Sequence, residues 1–181
     1  NYPNNNASYK SGNLTRLEQE ALGFFNKGEY EKSIIIFKQI LETSKNPLSG
    51  YYYKGICFFR LQKYKNAIQD FSKVIEIDPN YSSAYGFRGD SKYFLNNFES
   101  AIDDFTKTLE IDPNNTYTLV MRGCAKSHLG KINQSINDYY GAISDFTKAF
   151  EIDSKDFAAI KNRGIAKYEL SDYEGAIDDL T

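Results

Sequence analysis

Small, aromatic and polar residues recur along this chain at one regular spacing, which predicts pairs of short helices. Equivalent positions lie 34 residues apart over three successive segments. Periods of about 20 to 50 residues are typical of arrays in which every repeat is one supersecondary unit, and this small and aromatic pattern indicates helix–turn–helix units. We therefore expect an all-α fold that is built from stacked helix pairs.

Small residues mark one position on each predicted helix. Counted from the first residue of a unit, glycine occupies position 8 of four units and alanine occupies position 20 of three units. Because a larger side chain would hold the two helices apart, we interpret these residues as the points of closest approach within a pair. The glycines are Gly55, Gly89, Gly123 and Gly164, and the alanines are Ala67, Ala101 and Ala176.

Aromatic residues and prolines complete the repeated pattern. Four residues after the alanine comes Phe71 in one unit and Phe105 in the next, and we expect these rings to fill the core of each pair. An Asp-Pro dipeptide follows at 78–79 and at 112–113. It should end the second helix, because proline cannot donate a backbone hydrogen bond.

The combination resembles the tetratricopeptide repeat family over residues 14–181. The resemblance implies a right-handed superhelical solenoid of antiparallel helix pairs, about five units with the last one incomplete, in which the first helices line a concave groove. Residues 1–13 are polar and Asn-rich, and we expect a disordered tail or, alternatively, a short strand in a groove. The units are 14–47, 48–81, 82–115, 116–156 and 157–181.

The fourth unit is seven residues longer than each of the three before it, at 41 residues instead of 34. The extra residues resemble a local duplication, since the segment 135–139 is echoed by the segment 142–146. Seven residues are nearly two helical turns, so an insertion of this length keeps the apolar face of a helix. We expect a short turn at 129–131 and one continuous second helix from about Asn133 to Ile152, with the overhang at its C-terminal end.

Composition and charge exclude several classes of partner. The formal net charge is −2, so no basic surplus is present to neutralise nucleic-acid phosphates. No apolar run approaches the roughly 20 residues of a membrane-spanning helix. Cys57 and Cys124 lie in different units, and we expect two free thiols, which favour a reducing, cytoplasmic location over that of an exported mature chain.

Catalytic motifs are not recognisable in the sequence. His128 is the one histidine, and it has no second ligand at metal-binding spacing. Phosphate-binding loops, zinc-protease motifs and nucleophile elbows do not occur. We therefore predict that the chain is not an enzyme and needs neither a metal nor a cofactor.

One charge pattern recurs with the repeats. Arginine precedes the glycine at Arg88, Arg122 and Arg163, and aspartate precedes the core residue of the second helix. Recurrence in successive units favours a structural role, and we expect Arg–Asp pairs between packed helices. The alternative is anion binding by a column of arginine and lysine side chains.

The family resemblance also implies which residues face the groove. The predicted surface is rich in aromatic residues and poor in charges, which is typical of peptide-binding hot spots. The alternative is that several of these aromatic residues belong to the core between repeats. The basic clamp with which one subclass of the family grips acidic chaperone tails is missing. The groove residues are Tyr52, Ile56, Phe59, Arg60, Asp90, Tyr93, Tyr117, Lys161 and Tyr168.

These observations together predict a non-catalytic protein–protein interaction scaffold that holds a partner segment in an aromatic concave groove. One alternative is a regulatory or targeting domain of a larger protein. Another is self-assembly through stacked repeat ends, where Ile177 and Leu180 of the last unit lack a following repeat.

Overall fold

The computed structural model describes residues 15–180, and these residues are helical apart from short turns. The predicted tail, residues 1–13, lies outside the described residues. Over the described range the helices are α1 (Arg16–Asn26), α2 (Tyr30–Thr43), α3 (Leu48–Arg60), α4 (Tyr64–Ile77), α5 (Ser82–Phe94), α6 (Phe98–Ile111), α7 (Thr116–Asn133), α8 (Ile136–Ile152), α9 (Phe157–Glu169) and α10 (Tyr173–Leu180).

The helices form two compact units. Helices α1 to α5 belong to a unit that ends at Leu95, and helices α6 to α10 belong to a unit that begins at Asn96. Within each unit every helix packs against the next one along the chain, and α3 also touches α5, as α7 touches α9. Short connections between consecutive helices make neighbours antiparallel.

Tight turns separate the helices of each pair. Each turn holds one residue with a positive φ angle: Gly28 at 76°, Gln62 at 57°, Asn96 at 61°, Gln134 at 53° and Ser171 at 63°. Only the first of these is glycine, although the left-handed region is costly for residues with a Cβ atom. In the α1–α2, α3–α4, α7–α8 and α9–α10 pairs, packing of the two helices against each other stabilises the turn conformation.

Close contacts between glycine and a phenylalanine ring hold the α3–α4 and α7–α8 pairs together. In α3–α4 a Cβ atom at Gly55 would lie 2.9 Å from the ring of Phe71, which is fully buried together with Ala67. In α7–α8 a Cβ atom at Gly123 would lie 2.6 Å from the ring of Phe146. Gly89, Ala101 and Phe105 are buried as well.

The fourth pair differs from its prediction in the place of the turn, whereas the second helix is continuous and ends at Ile152 as expected. The chain turns at Gln134 and Ser135, and residues 129–131 lie inside α7. Helix α7 has 18 residues and α8 has 17, whereas α5 and α6 have 13 and 14. The insertion therefore lengthens both helices at the turn. There is no overhang at the other end, where α8 stops at Ile152 just before Asp153.

A second glycine–aromatic contact explains where the insertion lies. A Cβ atom at Gly130 would lie 2.9 Å from the ring of Tyr139, which is 8% exposed. Gly130 comes seven residues after Gly123, and Tyr139 comes seven residues before Phe146. Because α7 and α8 are antiparallel, Gly130 and Tyr139 both lie nearer the turn than Gly123 and Phe146 do. The duplication thus adds a second layer of the same contact.

We predict that alanine has opposite effects at two glycines of the fourth pair. Gly130→Ala should lower the free energy of unfolding by about 1 to 3 kcal/mol, because the methyl group meets a buried ring. Gly141→Ala should raise it by up to about 1 kcal/mol, since only the flexible end of Lys126 is near, at 3.3 Å, and helix propensity improves. Urea denaturation followed by circular dichroism measures both. Equal stability of the two variants would contradict the observed contact of α7 with α8.

Candidate partner-binding surface

A buried carboxylate joins the two helices of the α7–α8 pair. Arg122 donates from Nε to Asp145 Oδ2 at 3.0 Å and from Nη2 to Asp145 Oδ1 at 2.6 Å. Lys126 Nζ lies 2.8 Å from the same carboxylate. Arg122 Nη1 also donates to Thr106 Oγ1 at 3.1 Å, which ties α7 to the preceding helix α6. A charge with this many partners is compensated despite its burial.

The α9–α10 pair repeats this arrangement. The Arg163 guanidinium forms a bidentate pair with Asp179, and Lys167 Nζ lies 2.8 Å from Asp179 Oδ2. Burial alone would raise the pKa of Asp179, but the hydrogen bonds from Arg163 and Lys167 outweigh burial and hold the pKa below its usual value. The recurring basic residues therefore face carboxylates inside the fold.

Asp70, the equivalent residue in α4, has a poorer environment. Lys54 takes the place of the arginine, and Phe58 takes the place of the second lysine. Lys54 Nζ lies 3.1 Å from Asp70 Oδ1, while Oδ2 has no hydrogen-bond partner in the described part of the chain. Burial raises the pKa of Asp70 against the opposing effect of Lys54. Arg88 of α5 donates to Ser72 Oγ of the preceding helix α4 at 3.0 Å, as Arg122 donates to Thr106 of α6.

Three of the predicted groove residues belong to the core. Tyr52 and Ile56 are each 4% exposed, and Asp90 is 1% exposed. The ring of Tyr52 contacts those of Phe71 and Tyr81, and burial raises its pKa to a value far above the usual one. These residues cannot contact a partner without opening the helix packing, so their assignment to the groove is corrected.

Four further aromatic residues of the first unit form a connected set at its surface. Phe59 contacts Phe87 at a centroid distance of 5.7 Å and Phe94 at 6.0 Å. Phe94 stacks on Tyr64 at 5.1 Å and meets Tyr93 edge-on at 5.7 Å. Phe94 is 49% exposed, while Phe59, Tyr64 and Tyr93 are half-buried. We call the four residues Phe59, Tyr64, Tyr93 and Phe94 the aromatic surface.

Positive charges lie beside the aromatic surface. Arg60 follows Phe59 directly and is exposed, and Lys63 occupies the turn before Tyr64. Between residues 15 and 95 there are 12 lysine and arginine residues against 9 aspartate and glutamate residues, a net charge of +3. An acidic segment would therefore be attracted to this unit more than a basic one.

The predicted groove residues of the second unit differ from one another in exposure and in charge. Tyr117 is half-buried and Lys161 is exposed. Tyr168 is 61% exposed, and its ring meets that of Tyr173 edge-on at 5.5 Å. No metal-binding group of three or more histidine, cysteine, aspartate or glutamate residues occurs between residues 15 and 180.

The histidine and the two cysteines have ordinary structural surroundings. His128 is exposed and stacks on Phe98 at 4.8 Å, and partial burial lowers its pKa, followed by the charge of Lys131. Cys57 and Cys124 are free thiols, and burial raises the pKa of each to about 11.

Of the helices in the described range, none has the length and apolarity that crossing a membrane requires.

Family models described as tetratricopeptide repeat match residues 49–81, 82–115 and 118–156, which together exceed half of the chain. The chain belongs to the tetratricopeptide repeat family. This membership confirms the predicted family and supports a general role as a protein-interaction scaffold. No curated protein matches the sequence.

Solved structures of the same fold confirm the fold class, an all-α array of helix pairs. A MamA structure from Desulfovibrio magneticus RS-1 superposes with a TM-score of 0.83 at 18% identity, covering 91% of this chain and 89% of that one. Another MamA structure has a TM-score of 0.84 at 17% identity, covering 92% and 87%. A tetratricopeptide repeat protein from Parabacteroides merdae has a TM-score of 0.79 at 18% identity, covering 90% and 62%.

Sequence reasoning did not place Tyr64 in the predicted groove, although the residue lies at the surface next to Phe94. The sequence does contain a pattern that points to Tyr64, because an aromatic residue follows the short turn in several helix pairs, as at Tyr30, Tyr64 and Tyr173. Position along the repeat identifies such residues. Their exposure depends on the neighbours that pack around them.

We predict that Lys54→Arg stabilises the chain by about 1 kcal/mol, because a guanidinium can satisfy both oxygens of Asp70 as Arg122 does for Asp145. Urea denaturation at neutral pH measures the change, and Arg122→Lys is the reciprocal control, which should destabilise. An unchanged or lower stability of Lys54→Arg would contradict the interpretation of Asp70.

The gain from Lys54→Arg should depend on pH. Because the pKa of Asp70 is raised in the folded state, the ionised carboxylate destabilises the fold above that pKa, and protonation relieves this effect as the pH falls through it. A protonated Asp70 has no need of a second cationic contact. The stability difference between the two proteins should therefore shrink toward acidic pH, which denaturation at several pH values would show.

Proposed function

We propose that the chain is an interaction module that binds a segment of a partner protein on the aromatic surface. The observation that supports the proposal most directly is the exposure of Phe94, whose ring is 49% exposed although it contacts Phe59, Tyr64 and Tyr93. Rings that are held by one another lose little conformational entropy when a partner covers them. Aromatic residues are also enriched among the residues that dominate binding energy.

The chemistry of the surface indicates the kind of segment that it would hold. Apolar side chains of the partner would pack on the rings of Phe59 and Phe94, and the phenol group of Tyr93 can donate or accept a hydrogen bond. Acidic residues that flank the apolar side chains would meet Arg60 and Lys63. Their contribution would fall as the salt concentration rises.

We further propose that the role is not catalytic. Both thiols have a pKa of about 11, so they are protonated near neutral pH and are weak nucleophiles. The carboxylates of Asp145 and Asp179 are engaged by arginine and lysine inside the fold. Held in this way, these groups serve the packing of helices.

Phe94→Ser tests the binding proposal, with Phe157→Ser as the matched control. Phe157 is 74% exposed in the second unit, so both changes remove an exposed ring. Partners would be captured from native lysate by crosslinking, the crosslinked segment identified by mass spectrometry, and its synthetic peptide titrated against each protein. We expect Phe94→Ser to weaken peptide binding about 10-fold or more, as for a hot-spot residue, and Phe157→Ser to leave it unchanged.

Circular dichroism and urea denaturation would show that the two serine variants fold like the native chain. A peptide that binds the native chain and Phe94→Ser equally would contradict the assignment of the aromatic surface. Crosslinks that join the peptide to residues beyond Asn96 would contradict it as well.

A further inference from the structure

The lengthened α7–α8 pair creates a cleft in the second unit. Both helices are longer than α9, which has 13 residues and ends at Glu169. A cleft of about 290 Å³ lies at the turn end of the pair, with Tyr139, Ile136 and Leu170 as apolar lining and Lys131 and Glu169 among the remaining lining residues. Its volume lies just below the range of about 300 to 1,000 Å³ that is typical of pockets for small ligands, so it suits one large side chain.

Exposed apolar residues of α7 and α8 lie close in sequence to the residues that line the cleft. Ile136 is 60% exposed, Tyr140, one turn further along α8, is 61% exposed, and Ile132 near the end of α7 is 65% exposed. Three large apolar side chains with this exposure within nine residues are more than the scattered single residues of an ordinary surface.

The duplicated motif shows that Ile136 occupies a position that is covered elsewhere. Ile143 is the same residue of the second copy, and it packs against a core that includes Ala159 and Ala166 of α9. Helix α9 thus covers the second copy of the motif. The first copy lies one layer nearer the turn, where Ile136 stays exposed.

The second unit, in which the cleft lies, carries a net negative charge, while the cleft lining itself holds one basic residue, Lys131, and one acidic residue, Glu169. Between residues 96 and 180 there are 9 lysine and arginine residues against 15 aspartate and glutamate residues, a net charge of −6. Glu169 in the cleft lining forms no ion pair within the described residues, and Asp138 and Asp172 lie close to the lining residues in sequence. Tyr139 and Glu169 both line the cleft, and burial first, followed by the charge of Glu169, raises the pKa of Tyr139.

Exposed aromatic rings next to Glu169 also favour a cation. Tyr168 precedes Glu169 in α9, and its ring contacts that of Tyr173. Both are more than half exposed, at 61% and 56%. The face of a tyrosine ring attracts ammonium and guanidinium groups.

We propose that this cleft binds a segment of a partner protein in which a large apolar side chain is followed closely by lysine or arginine. The apolar side chain would enter between Ile136 and Leu170, and the cation would pair with Glu169. This site differs from the aromatic surface in its location and in its charge preference. It is therefore independent of the proposed function.

A random peptide library selected on the intact chain tests this proposal. Recovered peptides would be titrated against the native chain, Ile136→Ser and Glu169→Lys, with Ile35→Ser and Glu151→Lys as controls. Ile35 is 57% exposed in α2, and Glu151 is exposed on α8, so each control matches its variant in residue type and exposure. Peptides that lose binding on Phe94→Ser but not on Ile136→Ser belong to the aromatic surface and are set aside.

We expect peptides with an apolar residue close to lysine or arginine, whose affinity falls about 10-fold on Ile136→Ser and about 5-fold on Glu169→Lys, with less than a twofold change on either control. Their affinity should also fall with added salt. The proposal is overturned if no recovered peptide is sensitive to Ile136→Ser, or if the sensitive peptides are acidic. It is also overturned if the native chain sediments as a dimer that Ile136→Ser dissociates, because the cleft then belongs to a contact between copies.

Discussion

The close approach of two helices within a pair fixes where the other contacts of that pair can form. At Gly55 and Gly123 the backbone of the first helix lies against a buried phenylalanine ring of the second, with no room for a Cβ atom. Interiors packed this densely have one preferred register. The register in turn places the residue before the glycine opposite the residue before the ring, as for Arg122 and Asp145.

Departures from the repeated frame distinguish one pair from another. Asp145 and Asp179 each receive an arginine and a lysine, whereas Asp70 receives one lysine and keeps an oxygen without a partner. The fourth pair adds a second glycine–aromatic layer at Gly130, and its lengthened turn end leaves Ile136 exposed. The residues that distinguish the pairs are better candidates for binding a partner than the residues that the pairs share, because the shared residues already form the packing between helices.

Each unit presents an apolar surface with its own charge. The aromatic surface around Phe94 lies in a unit of net positive charge, and the cleft around Ile136 lies in a unit of net negative charge. The positive unit favours acidic partner segments and the negative unit favours basic ones. Each kind of segment is therefore disfavoured at the other surface. Under the two proposals, a chain with a formal net charge of only −2 would discriminate between two kinds of segment.

The helix pairs, the family and the residues of closest approach could be predicted from the sequence, because these follow from a local period of 34 residues. Two features could not be predicted, because they depend on packing between helices. Tyr52 and Ile56 entered the core because rings such as Phe71 and Tyr81 pack around Tyr52, and exposure cannot be read from position in a repeat. The duplicated motif is compatible with a turn at 129–131 or at 134–135. The turn forms at 134–135 because this arrangement adds the contact of Gly130 with Tyr139 and keeps that of Gly123 with Phe146.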